Sequence, residues 1–392
     1  MNGLRPIGVS AESNAMGGTG ISSFYNYYSA LYKNPALMAV APGTKGQAEA
    51  IFGMTYGSFS PKVKANYGDD QDYKKPVNNT SAIFPSSVGY GQRTFERMSM
   101  AVGIYGGGGG ADYGDKADSV YRAKSRTMIF SLTGGFSWAL SPSTSLGING
   151  NVSTVDTRSS NLSVFKGTMT EIGGRAQTFG TLMGLRHQIG QLSFGAIYQP
   201  GQTAFLPKAR DIDDDGIKDN LLFSAVPSEY AMGLTWQESD WSLVADYRFL
   251  QWSEAEFLKS VGWVDQHVLA LGFEYGTTHR LLLGFNISSS AVKSKQDTDG
   301  LSTALVSQKS MINLAGDAFA ATSGLGVTNR HYSIGSSHSL SDAVKIHSAF
   351  VYMEPGTLER NGQYKVPTGQ KNYGWKSEFS GSTLGVDLSY LW

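Results

Sequence analysis

The chain has 392 residues, 41% of them hydrophobic, with no cysteine and with 32 basic against 32 acidic side chains. Zero net charge offers nucleic acid no electrostatic footprint, and the absence of cysteine removes disulfides and thiolate metal sites. A spanning helix needs about 20 consecutive, mainly apolar residues; the longest uncharged stretch, Thr127 to Val155, is broken by Gly134, Gly135 and Pro142 and reads as two strands around a turn.

In chain order, Gly3 to Val40 comes first. It is rich in Ala, Gly, Ser and Asn, carries few charges, and predicts short helices around Ser22–Leu31 and Pro35–Val40. No charged and apolar leader pattern precedes Gly3, so export is argued from the strands that follow. A segment this small cannot form a core alone; inside a barrel it would be a plug. The expected division is a hatch at 1–42 and a barrel at 43–392.

From Gly46 onward, fourteen segments show period-2 or strand-like composition. They span 46–58, 82–92, 97–107, 122–139, 144–158, 175–188, 191–201, 226–237, 240–253, 263–276, 279–290, 330–340, 343–354 and 377–392. The links alternate between short ones, such as Ser141–Ser143, Ile189–Gly190 and Thr277–Thr278, and long ones near 59–81, 108–121, 159–174, 202–225, 254–262, 291–329 and 355–376. Tight turns at one end and long loops at the other are the habit of an up-and-down outer-membrane barrel, and an even strand count agrees with it. The fold class predicted is therefore all-β: a 14-stranded antiparallel transmembrane β-barrel with an N-terminal plug in its lumen.

Side chains in a strand alternate between faces. In the last strand Leu384, Val386, Leu388, Tyr390 and Trp392 share one face; in 240–250 Trp241, Leu243, Ala245, Tyr247 and Phe249 do; in 343–353 Val344, Ile346, Phe350 and Tyr352 do. These rows are expected to meet lipid, where a charge near mid-bilayer costs about 2–4 kcal/mol. The charges of the opposite rows are expected in the lumen.

Glycine 3 and Leu4, then Gly17-Gly18-Thr19-Gly20, then Ala30-Leu31-Tyr32-Lys33-Asn34-Pro35-Ala36-Leu37 resemble the N-terminal hatch of the FadL/TodX family of outer-membrane transporters for hydrophobic compounds. The resemblance implies a monomeric barrel in the Gram-negative outer membrane, in contact with its lipid, closed by the hatch and passing hydrophobic small molecules such as long-chain fatty acids or aromatic and aliphatic hydrocarbons. It further implies a lumenal site and a sideways exit where the third strand kinks inward. Asn34, Pro35 and Ala36 would gate the hatch, or simply start a helix. The third strand ends in Tyr105 and five glycines, so Gly106, Gly107 and Gly108, or Gly103 earlier in the strand, mark a kink or else an external loop.

Three inward cations, Arg248, Lys345 and His347, are candidates for an acidic headgroup. The alternative is that Asp246, Asp387 or Glu274 balances Arg248 and Lys345. The motif Asp211-Ile212-Asp213-Asp214-Asp215-Gly216-Ile217-Lys218-Asp219 places Asp211, Asp213, Asp215, Ile217 and Asp219 at the spacing of calcium-loop ligands, but Leu222 stands where the bidentate Glu belongs. A structural calcium ion and a solvated acidic loop tip both remain open, and no cofactor is required. Metal-binding His patterns, the Gly-x-Ser-x-Gly elbow and the phosphate loop do not occur. A lipid-acting barrel enzyme or a general porin is the alternative to a transporter.

Overall fold

The computed structural model describes residues 5–40, 45–67, 73–76, 80–112, 124–162, 169–210, 219–255, 258–259, 262–292, 328–366 and 369–392. Its strands are β1 (Ala48–Tyr67), β2 (Tyr73–Pro76), β3 (Thr80–Phe95), β4 (Met98–Asp112), β5 (Lys124–Ala139), β6 (Thr144–Leu162), β7 (Met169–Ile189), β8 (Leu192–Gln199), β9 (Gln202–Arg210), β10 (Asp219–Val226), β11 (Ser228–Gln237), β12 (Trp241–Gln251), β13 (Gln266–Tyr275), β14 (His279–Ser288), β15 (Arg330–Ser339), β16 (Val344–Val366) and β17 (Gly369–Leu391). Fourteen of them form the wall, each antiparallel to its neighbours, in the order β1-β3-β4-β5-β6-β7-β8-β11-β12-β13-β14-β15-β16-β17. The last strand returns to the first, with Glu49 opposite Leu391 and Tyr67 opposite Tyr373. Closure removes the unpaired strand edges that neither water nor lipid would satisfy. Strand β2 adds to the edge of β1, while β9 and β10 pair as a separate two-stranded sheet over the stretch expected to be a long link near 202–225.

The rows point as expected. Leu384, Val386, Leu388, Tyr390 and Trp392 are all exposed, as are Leu243 and Tyr247 on β12 and Phe350 and Tyr352 on β16. Trp138, Trp236, Tyr275, Tyr390 and Trp392 ring the short-turn end, and Tyr198, Tyr230, Tyr332 and Tyr352 lie toward the long loops. An apolar band between aromatic girdles is the surface a bilayer requires. None of the helices among the described residues is long and apolar enough to cross a membrane; the strands do so.

Inside the wall sit residues 5–40, folded as α1 (Ala11–Ala15), α2 (Tyr27–Lys33) and a 3-10 helix (Pro35–Val40). Ser10 caps α1 through the N–H of Ser13, and Asn26 caps α2 through that of Ser29. The helix expected from Ser22 therefore starts at Tyr27, after the extended Asn26 cap. The wall receives this hatch through glycines whose missing side chains leave room for its backbone. A Cβ at Gly195 would overlap the carbonyl of Ile21, at Gly147 the peptide of Pro35 and Ala36, and at Gly284 the N–H of Gly17. Buried wall carboxylates then take up hatch N–H groups. Asp387 accepts from Ala11 at 2.5 Å, Asp246 from Gly20 at 2.7 Å and Ile21 at 3.0 Å, and Glu49 from Tyr27 at 2.9 Å.

Candidate functional site: a lumenal cavity beside a split in the wall

Toward the long loops the inward face changes from polar to apolar. At hatch level it carries Ser99, Ser137, Thr235, Asp246, Asn286 and Asp387; beyond the hatch it carries Ile129, Val155, Leu250 and Val268. Ala204 and Leu206 of the β9–β10 hairpin pack into this upper region together with Trp252 and Trp263, whose rings meet edge-on at 4.7 Å between centroids. Both indoles are buried, and each large ring removed from water contributes on the order of 2–3 kcal/mol to holding these loops inward. The lumen above the hatch thus holds an apolar cluster, set among buried polar side chains such as Gln266 and Arg360.

Between this region and the hatch lies a cavity of about 50 Å³ whose lining mixes Tyr32, Tyr105, Gly106, Gly107, Ile129, Leu182 and Val226 with the polar Arg5, Ser131, Thr133, Asn149, Asn151, Gln199 and Gln202. Arg5 is its only cationic lining residue among the described residues, and its Nη2 is committed. Its Nη2 donates to Gln199 Oε1 at 2.7 Å and to Glu229 Oε2 at 2.8 Å, and its guanidinium lies 5.1 Å from the centre of the Tyr32 ring. The other oxygen of Glu229 accepts from Arg248 Nε at 2.6 Å. One buried carboxylate therefore holds two arginines and ties the hatch to β11 and β12.

At the same place the wall comes apart. Strands β3 and β4 pair from Phe95 opposite Met98 up to Val88 opposite Ile104, and no further. Past that point β3 stays with β1 as far as Thr80 opposite Phe59, and β4 stays with β5 as far as Asp112 opposite Lys124. The local chemistry explains the separation. Pro85 has no N–H to give, Ser86 is the extra residue of a bulge where the β1–β3 register shifts at Gly53/Met54, and Gly106–Gly110 offer no side chains for cross-strand contact. Gly106 and Gly107 border the cavity on one side of this split, and the exposed Phe130 opposite Gly106 sets it at the level of the lipid-facing band.

The residues singled out from sequence are distributed by the structure rather than gathered. Arg248 is fully buried against Glu229 and does not line the cavity. His347 lies at the short-turn side, its Nδ1 3.9 Å from Glu12 of α1, and Lys345 borders a separate polar vestibule below the hatch together with Arg93, Glu96, Arg97, Arg186 and Arg280. The three cations thus form no common site. Asp246 and Asp387 accept from hatch N–H groups, the direct partner of Arg248 is Glu229, and Glu274 pairs with Arg280 at 2.8 Å. At Gly103 the β4–β5 register runs unbroken, and the bare position admits the ring of Tyr28, which a Cβ would meet at 2.9 Å. Asn34 Nδ2 donates to Ile21 O and to Leu185 O on β7, its Oδ1 accepts from Ala36 N, and Ser145 donates to Ala36 O at 2.8 Å. The Asn-Pro-Ala turn fastens the hatch to β6 and β7. Residues 211–218 of the acidic loop lie outside the described residues, and Asp219 begins β10 opposite Arg210. Among the described residues no three His, Asp or Glu side chains are grouped to hold a metal.

Sequence reasoning missed Arg5, Glu229, Tyr28, Tyr32 and Tyr105. Glu229 carried the one usable signal, a carboxylate on an inward row just ahead of the bulky outward row Tyr230, Met232, Leu234 and Trp236.

No protein-family model matches the chain, and no curated protein matches it. Solved structures do. A FadL homologue of Pseudomonas aeruginosa shares 12% identity over 100% of this chain and 99% of its own, with a TM-score of 0.74. The toluene transporter TodX of P. putida shares 15% over 98% of each chain at 0.66, and the toluene transporter TbuX of Ralstonia pickettii 15% over 98% of each at 0.64. The protein is a transmembrane β-barrel of the hatch-plugged kind. Its fold is that of the FadL and TodX transporters, as the hatch motif suggested.

Proposed function

We propose that the protein carries hydrophobic small molecules passively across the outer membrane, through the apolar upper lumen to the cavity above the hatch and out sideways between β3 and β4. The observation that carries this reading is the adjacency of that cavity to the end of the β3–β4 ladder, at Gly106 and Gly107. An apolar molecule gains nothing by entering a water-filled pore. A route lined by apolar side chains that opens toward lipid spares it both the aqueous step and the polar outer leaflet. The fold shared with toluene transporters supports the same conclusion.

Cargo without charge suits the cavity best. A carboxylate placed beside Arg5 would also face Glu229, which already pairs with both nearby guanidinium groups. The protein performs no chemistry on its cargo and acts as a monomer; the spacing of Asp211, Asp213, Asp215, Ile217 and Asp219 in the sequence suits a structural calcium ion.

The test is uptake of labelled toluene by cells making the protein, compared with a polar solute of similar size. Gly107 follows the inward Tyr105 by two residues, so Gly107→Trp fills the cavity and is expected to reduce toluene uptake to that of cells lacking the protein. Selective passage of the polar solute, or full toluene uptake by the Trp variant, would overturn the reading.

A further inference from the structure

Tyr28 stands at the fork where β3 and β4 part. Its hydroxyl lies 3.0 Å from the carbonyl oxygen of Ser86 on β3 and 2.9 Å from that of Ile104 on β4. These two carbonyls belong to opposite sides of the split, and a phenol has one proton to share between them. The ring fits between two bare wall positions, Gly89 and Gly103, where a Cβ would press against its edge. On its other side it stacks on Tyr105 at 4.4 Å between centroids, nearly parallel, and Tyr105 Oη donates back to the carbonyl of Tyr28 at 2.6 Å. Tyr32, one turn further along α2, packs on Tyr105 at 4.9 Å.

We propose that Tyr28 is a latch that holds the β3–β4 split closed and that cargo in the cavity releases it through Tyr105. The inference rests on the transport reading for its biological sense, but not for its geometry. Tyr32 and Tyr105 both line the cavity. At about 50 Å³ the space accommodates a few waters, so a molecule with an aromatic ring enters only by displacing one of these side chains. Displacing Tyr105 removes the stacking partner of Tyr28 and the bond to its backbone, and the phenol then leaves the two carbonyls it bridges. A packed cluster of this kind has discrete arrangements rather than a continuum, which makes it a switch. The latch binds the hatch to the exit: α2 is the only hatch element that reaches both strands of the fork through one side chain among the described residues.

The experiment uses the absence of native cysteine. Spin labels at Ile83→Cys on β3 and Gly106→Cys on β4 face outward on the two sides of the split, and their separation is measured by pulsed electron resonance in bilayers, with and without toluene. Tyr28→Phe keeps the ring and its stacking but loses the bridge. It is expected to populate a longer separation without toluene, raising the open fraction about fivefold, the worth of one net hydrogen bond. The unaltered latch is expected to show the same longer separation only when toluene is added. Superimposable distance distributions for Tyr and Phe at position 28 overturn the latch, whatever the uptake assay shows. A longer separation in the Phe variant of a protein that fails to take up toluene leaves the latch standing and sinks the transport reading. Tyr105→Phe, which removes the bond to the Tyr28 carbonyl, is expected to move the distribution in the same direction; a thermal midpoint equal to that of the parent shows that either variant is folded.

Discussion

Glu229 is the residue on which the hatch and the barrel agree. It sits between Arg5 of the hatch and Arg248 of β12, with all three side chains buried. Removing one partner from such a cluster leaves charge stranded in a medium that solvates it poorly. Glu229→Gln is therefore expected to lower stability by about 3–5 kcal/mol, read from the denaturant midpoint in detergent. Arg248→Met together with Glu229→Leu is expected to lose less than the single change, although Arg5 then remains without its acid. Glu12, on α1, adds a dependence on pH. Burial alone would raise its carboxyl, but Arg280, His347 and Lys345 around it outweigh burial and hold it below the ordinary value of 4.5. A carboxylate depressed when docked stabilises docking fully above the undocked value and loses that contribution as pH falls toward the docked one. The protection factors of the Ala11–Ala15 amides, exchange corrected for its intrinsic pH dependence, are expected to fall as pH drops below 4.5, and those of Glu12→Gln at neutral pH to be no higher than the parent's under acid.

At the scale of elements, the strands and the Pro35–Val40 helix of the hatch were legible, and α1 was not. All fourteen wall strands overlap the predicted segments because each buries one face and presents the other to lipid, so period 2 is written into every one of them. Helix α1 spans five residues, too few for a helical period to be seen, and its existence depends on the Ser10 cap and on the Asp387 carboxylate that meets Ala11. The glycine run at Gly106–Gly110 was visible, but the split needs Pro85 and the Ser86 bulge across from it, and nothing in a single sequence says that these positions face each other. The wall glycines were equally opaque. They read as generic strand composition until the hatch is set against them. Gly195→Val illustrates what they do: the added carbons would overlap the Ile21 carbonyl, and the misfit is expected to cost about 1–3 kcal/mol and to appear as faster amide exchange at Ile21 and Ser22, with the exchange of β8 itself unchanged.

Over the whole molecule, the lumen has two solvents stacked along one axis. Below, a polar wall is satisfied by the hatch: Ser145, Ser193 and Ser333 donate to hatch carbonyls, and Asp246, Asp387 and Glu49 accept from hatch N–H groups. Above, Ile129, Val155, Leu206, Val226 and Leu250 belong to one apolar cluster. The exit between β3 and β4 lies where these regions meet, so a molecule arriving through the apolar half is offered lipid sideways or a sealed polar plug ahead. This division makes the hatch a barrier to ions without making it part of the apolar path. A barrel lacking residues 5–40 would expose its polar lower wall to water, which satisfies the same groups the hatch did. Its closed strand ladders do not depend on the hatch for backbone pairing. Such a barrel is expected to fold and to conduct ions in planar bilayers, where the full chain gives no steady current. A full chain that conducts as strongly as the truncated one would show that the polar half is an open channel and that the hatch does not seal it.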